Sequence, residues 1–130
     1  MAKEDLALDF ARFLKKEGYS PEVDDDGDVV FKYEGGNYFV QFDEDDPEFI
    51  RVLYPSFWPL ENDEERAKAR QIAHDATTQT KVAKVYAIDD NMWAAIEAFC
   101  PSPESFFPVF RRSLGALQTC VRQFCDGMRE

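Results

Sequence analysis

The stretch VVFKYEGGNYFVQF, Val29 to Phe42, decides how this chain folds. Val29, Phe31 and Tyr33 alternate with Val30, Lys32 and Glu34, and Tyr38, Val40 and Phe42 alternate with Phe39, Gln41 and Asp43. A period of two sends successive side chains to opposite faces of a strand. Between the two runs lies Glu34-Gly35-Gly36-Asn37, where glycine accepts the positive φ that a tight hairpin turn requires. Residues 29–34 and 38–43 are therefore predicted to pair as antiparallel strands.

Working outward, the acidic turn Asp43-Glu44-Asp45-Asp46-Pro47-Glu48 leads to Phe49, Ile50, Val52, Leu53 and Tyr54, a third strand that Pro55 should stop. Upstream, Leu6, Phe10, Phe13 and Leu14 share one helix face, which predicts a helix over 4–17 ended by Gly18. Downstream, residues 61–80 open with Glu61, Asp63, Glu64 and Glu65, where a helix dipole favours negative charge. The apolar face of that helix is built from small residues, Ala69, Ile72, Ala73, Ala76 and Thr80, which permit close approach to the sheet or to a copy of the same helix. Residues 82–88 and 92–99, joined by Asp89-Asp90-Asn91, predict a second hairpin, and Ser102-Pro103 or Ser105 starts a last helix. Phe107, Phe110, Leu114, Leu117, Val121, Phe124 and Met128 follow each other at steps of three and four, a narrow seam. It suits a helix laid on its own sheet or a coiled coil. The predicted order is α-β-β-β-α-β-β-α, an α+β domain over 1–130 with an antiparallel sheet packed against helices. There is no repeat, linker or low-complexity tract.

The 130 residues include 12 Phe, 5 Tyr and 2 Trp, ample for a core despite a net charge of -11. The charge is local: residues 21–65 hold 15 acidic and 2 basic side chains, whereas 66–130 hold 7 acidic and 9 basic. Such a surface repels phosphate backbones and argues against nucleic acid. It serves either as solvated turns or as an attractive field for a basic partner. No apolar run reaches the roughly 20 residues of a membrane span. Glu4 and Asp5 stand where a signal peptide needs a positive start, so a cytoplasmic location is expected. Three cysteines read as reduced thiols.

Motifs for chemistry are weak. In VDDDGDVV, Gly27 takes the sixth place of an EF-hand loop, with Glu22, Asp24, Asp26 and Asp28 at the first, third, fifth and seventh. The twelfth place, which needs a bidentate glutamate, holds Tyr33, and a strand follows instead of a helix. The acidic tip of a hairpin is the better account, and no metal or other cofactor is assigned. His74, the only histidine, would need Cys100, Cys120 or Cys125 beside it to build a nucleophilic site. No flanking motif supports that arrangement, so no catalytic residue is assigned and a non-enzyme is expected. The segment YPSFWPL, Tyr54 to Leu60, concentrates four large apolar side chains between a strand and a polar helix start, with two prolines stiffening the backbone. It either folds back to close the core or forms an apolar binding edge.

The run DGDVVFKYEGGNYFVQFDEDDPEFIRVLYPSFW, followed by an acidic-start helix, KVAKVY and a tryptophan-bearing strand, resembles the YbjN-like family of small bacterial proteins. The likeness covers roughly residues 20–120. The resemblance implies the fold of the class I type III secretion chaperones, small acidic homodimers that bind an extended segment of another protein along apolar patches. It implies no catalytic residue. The expected function is protein binding as a chaperone- or adaptor-like homodimer. The partner-binding surface is placed on Tyr54, Phe57, Trp58, Leu60 and Trp93, and the dimer contact on Ala69, Ile72, Ala73 and Ala76. The alternative is a regulatory domain that senses a small ligand or metal through its acidic loops.

Overall fold

The computed structural model describes residues 2–130 and is an α+β protein. Helix α1 (Lys3–Lys16) leads into strands β1 (Glu22–Val23), β2 (Val29–Tyr33), β3 (Gly36–Asp43) and β4 (Asp46–Pro59). Helix α2 (Asp63–Gln79) precedes β5 (Ala83–Ile88) and β6 (Asn91–Phe99). The short α3 (Pro103–Phe106), a 3-10 turn (Phe107–Val109) and α4 (Phe110–Arg129) close the chain. The strands form one sheet in the order β1-β2-β3-β4-β6-β5, with antiparallel registers. Among the described residues, no helix is long and apolar enough to cross a membrane.

The hairpins form where the sequence places them. Glu34 and Gly35 both take positive φ (47° and 84°), the pattern of a two-residue turn whose twist matches the strands. Two features differ from expectation. First, a two-residue strand, β1, folds back on β2 and makes the order α-β-β-β-β-α-β-β-α. Second, β4 does not stop at Pro55 but continues to Pro59. Ser56, at φ 50°, bends the strand there.

The chain's contacts gather into two compact units. One runs up to Leu53 and takes in Glu97–Phe110; the other comprises Tyr54–Ile96 with Arg111–Glu130. In the first unit, α1 buries Leu6, Ala7, Phe10 and Leu14. It ends at Gly18 (φ 99°), with Tyr19 N–H on Leu14 O and Gly18 N–H on Lys15 O, a Schellman closure. The Phe10 ring meets Phe42, Phe107 and Phe110 at centroid distances of 6.0, 5.3 and 5.6 Å, while Phe13 stacks on Phe107 at 4.0 Å. The strand side carrying Val29, Phe31, Tyr38, Val40, Phe42, Ile50 and Val52 is buried. On the opposite side, Val30, Phe39, Gln41, Phe49 and Arg51 are half-buried and Leu53 is buried.

In the second unit, Asn62 caps α2 by accepting the Glu65 N–H at 2.8 Å, and Glu65 Oε1 accepts the Glu61 N–H. Helix α4 buries Leu114, Leu117, Cys120, Phe124 and Met128. The predicted seam put Val121 in that row, but Val121 is half-buried and Cys120 takes its place. A straight helix turns every 3.6 residues, so its buried row drifts off a strict heptad. That is the helix laid on its own chain, not the coiled coil. Lys68 Nζ bonds Met128 O (3.0 Å) and Glu130 O (2.7 Å), placing a cation where the C-terminal carbonyls collect negative charge.

Candidate functional site

The segment Tyr54–Leu60 is strand up to Pro59 rather than loop; Tyr54, Phe57 and Trp58 are half-buried and Leu60 is buried. Tyr54 stacks on Phe57 at 5.4 Å, and Phe57 and Trp58 both meet the edge of Phe124 on α4, at 5.6 and 5.9 Å. The Arg129 guanidinium covers Trp58 at 5.7 Å. Leu60 is buried, and its N–H donates to Asp90 O at 2.8 Å. Tyr54, Phe57 and Trp58 therefore come together around Phe124 as half-buried packing. Trp93 sits elsewhere, opposite Tyr86 on β5.

The small face of α2 is covered within the chain. Ala69, Ala73 and Ala76 are 1%, 7% and 2% exposed, and Ile72 is half-buried facing Gly127 of α4. Thr77 Oγ1 on the same helix accepts the Val85 N–H of β5 at 3.0 Å. The close approach that these residues permit is thus made to β5 and α4. A cleft of about 330 Å³ runs between α2 and β5, with Ala73, Val85 and Met92 inside and Arg70, His74 and Tyr86 at its lip.

His74 is exposed on α2 and lies at that cleft, whereas Cys120 is buried with hydrogen bonds from Thr80 and Thr77. Burial pushes the thiols of Cys100, Cys120 and Cys125 above their ordinary value. A thiol held protonated is a poor nucleophile and a poor metal ligand. At the β1–β2 tip, the carboxylates of Asp24, Asp26 and Asp28 lie within 4.8 Å of one another. Much of that oxygen is committed to the hairpin. Asp24 Oδ1 accepts the N–H groups of Asp26 (3.0 Å) and Asp28 (2.9 Å), and Asp28 meets Gln41 Nε2 (3.2 Å) and Lys3 Nζ (3.6 Å). Calcium takes six to eight oxygens, so the trio alone is an incomplete set.

Among the described residues, the most exposed large apolar side chain is none of the candidate site residues named from the sequence. Phe99, at the end of β6, is 78% exposed. Its ring meets Phe49 of β4 at 6.0 Å, edge to face, within the first unit. Arg51 covers Phe49 at 5.2 Å and is held by Glu97 through Nε (3.0 Å) and Nη2 (2.7 Å). Arg51 Nη1 also reaches Gln41 Oε1 at 3.3 Å, and Gln41 in turn reaches Asp28. A chain of polar contacts from Lys3 to Glu97 therefore fixes the half-buried sheet side, with the aromatic pair at one end. Phe99 shares the phase of Trp93, Ala95 and Glu97, opposite to Met92, Ala94 and Ile96, so the alternation in MWAAIEAF already set its side.

The sheet edges are less open than the strand order suggests. The Val85 N–H points away from β6 and is taken by Thr77; Ala83, in the same phase, gives its N–H to Lys81 O at 2.7 Å. Only Ala87 repeats the outward position within β5. On the other edge β1 pairs with Val29 and Val30 of β2, leaving Lys32 as the outward residue beyond it. Edges closed in this way are poor templates for an added strand.

Comparison of the chain with family models and with curated proteins gave no match.

Proposed function

We propose that this chain is a non-enzymatic protein-binding module, chaperone- or adaptor-like, that captures an extended or amphipathic segment of a partner on apolar surface. The observation that carries the reading is Phe99, 78% exposed and seated on Phe49 beside a braced arginine. Exposed aromatic and arginine side chains dominate the energetics of protein contacts, because they bury large area at small cost in rotamer freedom. The ring is held in place by its neighbours and turned to solvent, the arrangement of a binding surface rather than of a core. The element order on an antiparallel sheet supports the likeness to the secretion-chaperone fold. The acidic region, residues 21–65, raises the encounter rate with basic partners and keeps the free chain soluble.

The test is selection of a random displayed-peptide library on the purified chain. The reading expects enriched sequences that share apolar anchors, bind the wild type and fail on a Phe99→Asp variant with unchanged urea midpoint. A selection that enriches nothing, or sequences that bind the variant equally, would overturn it.

A further inference from the structure

We infer that the occupant of the Phe49–Phe99 surface is an extended basic segment in which a lysine or arginine stands two residues from a leucine or aromatic side chain; this rests on the protein-binding reading above. Phe49 belongs to two features at once. One side meets Phe99, and the other lines an open cleft of about 480 Å³ toward the β3–β4 turn and the β1–β2 tip. The cleft's two cations are committed, Lys3 to Asp28 at 3.6 Å and Arg51 to Glu97 at 2.7 Å. Asp26, Asp43, Glu44 and Asp45 line it besides, on exposed turns, and set its charge. A segment docked on the aromatic pair thus lies against an acidic wall whose charge the chain does not itself neutralise. In a low-dielectric contact, a like charge there is penalised and an opposite one favoured.

The spacing follows from strand geometry. Side chains two apart on one face of an extended segment stand about 6.6 Å from each other. The Phe49 and Phe99 ring centroids are 6.0 Å apart. An apolar side chain over Phe99 therefore brings its i±2 neighbour past Phe49, which Arg51 covers, to the mouth of the acidic cleft. The inferred determinant is cation–x–apolar.

Three synthetic probes test this by fluorescence anisotropy at low and high salt. The first alternates threonine with arginine and leucine, so that arginine and leucine stand two apart on one face. The second carries glutamate for arginine, and the third serine for leucine. Binding of the first probe, with the second and third each weaker by about tenfold or more, is expected. Phe99→Ser should abolish that binding, and Glu44→Lys with Asp45→Lys should weaken it and flatten its salt dependence. Equal binding of the first two probes, lost in Phe99→Ser, overturns the basic-partner inference and leaves the protein-binding reading intact. Binding of the first probe that survives Phe99→Ser overturns the location. If no probe binds while the displayed library enriches other sequences on this surface, the determinant is wrong; if neither binds, the functional reading falls with it.

Discussion

Two glycines in α4 should respond to the same substitution with opposite signs. Gly115 is exposed, and a Cβ built there meets nothing within 4 Å. At Gly127 the same atom would stand 2.7 Å from Ile72 Cγ2 and 3.2 Å from Cδ1. Alanine in a helix interior is more favourable than glycine by about 0.5–1 kcal/mol, because the unfolded chain loses freedom it would otherwise have. Gly115→Ala should therefore raise stability by about that amount. Gly127→Ala gains no more from propensity and must push Ile72, whose β-branched side chain has few rotamers to retreat into. Forcing a methyl into such a contact costs about 1–3 kcal/mol, so the net change is a loss of about 0.5–2 kcal/mol. Ile72→Ala removes the obstructing carbons, and in that background Gly127→Ala should become neutral or stabilising, a coupling of up to about 1–3 kcal/mol. Urea unfolding of the wild type, the three single variants and the double variant, at constant m-value, measures every term. If Gly127→Ala stabilises as Gly115→Ala does, or if Ile72→Ala fails to reverse its effect, the close α2–α4 approach is refuted.

Thr77→Val strips the acceptor from the outward Val85 N–H, so it should cost about 1–2 kcal/mol and hasten aggregation by opening β5, read by thermal melting with light scattering; no change in either would contradict the edge closure. Ala73→Glu puts a charge on a residue 7% exposed and should destabilise the fold by about 3 kcal/mol or more without changing the molar mass of the folded fraction. A folded variant of lower molar mass than wild type would instead place that face at a subunit contact. Burial, opposed by the Thr80 and Thr77 hydrogen bonds, makes the folded state hold the Cys120 proton more tightly than the unfolded state does. Stability is then unaffected below the thiol's ordinary 9.0 and falls as pH rises through and above it, more shallowly in Cys120→Ala; identical alkaline slopes would refute the shift.

What the sequence could show followed local rules. The α1 stripe, the Glu34-Gly35 turn and the acidic first turn of α2 depend on neighbours within a few residues, and each stands where it was predicted. The errors came from partners distant in the chain. Pro55 is a local stop signal, yet β4 runs through it to Pro59 within a sheet whose other strands lie elsewhere in the chain. Whether Tyr54–Leu60 closes the core or forms a binding edge stayed open in the sequence, because its ring partner Phe124 lies some 65 residues on. The heptad of α4 was a near-coincidence of 3.5 and 3.6 that the burial of Cys120 resolves. Phe99 could be assigned a face by alternation, but its exposure depends on what neighbours β6, which no spacing within one strand reports.

The most direct test of the binding surface is site-specific photo-crosslinking in lysate of the source cells. A photoreactive residue replaces Phe99 in one sample and Leu8 in another; Leu8 is 47% exposed on α1 and outside the aromatic pair. The account predicts a discrete crosslinked protein from position 99, absent from position 8 and competed away by the arginine–leucine probe. Equal labelling from both positions, or a product at 99 that the probe does not displace, would contradict it.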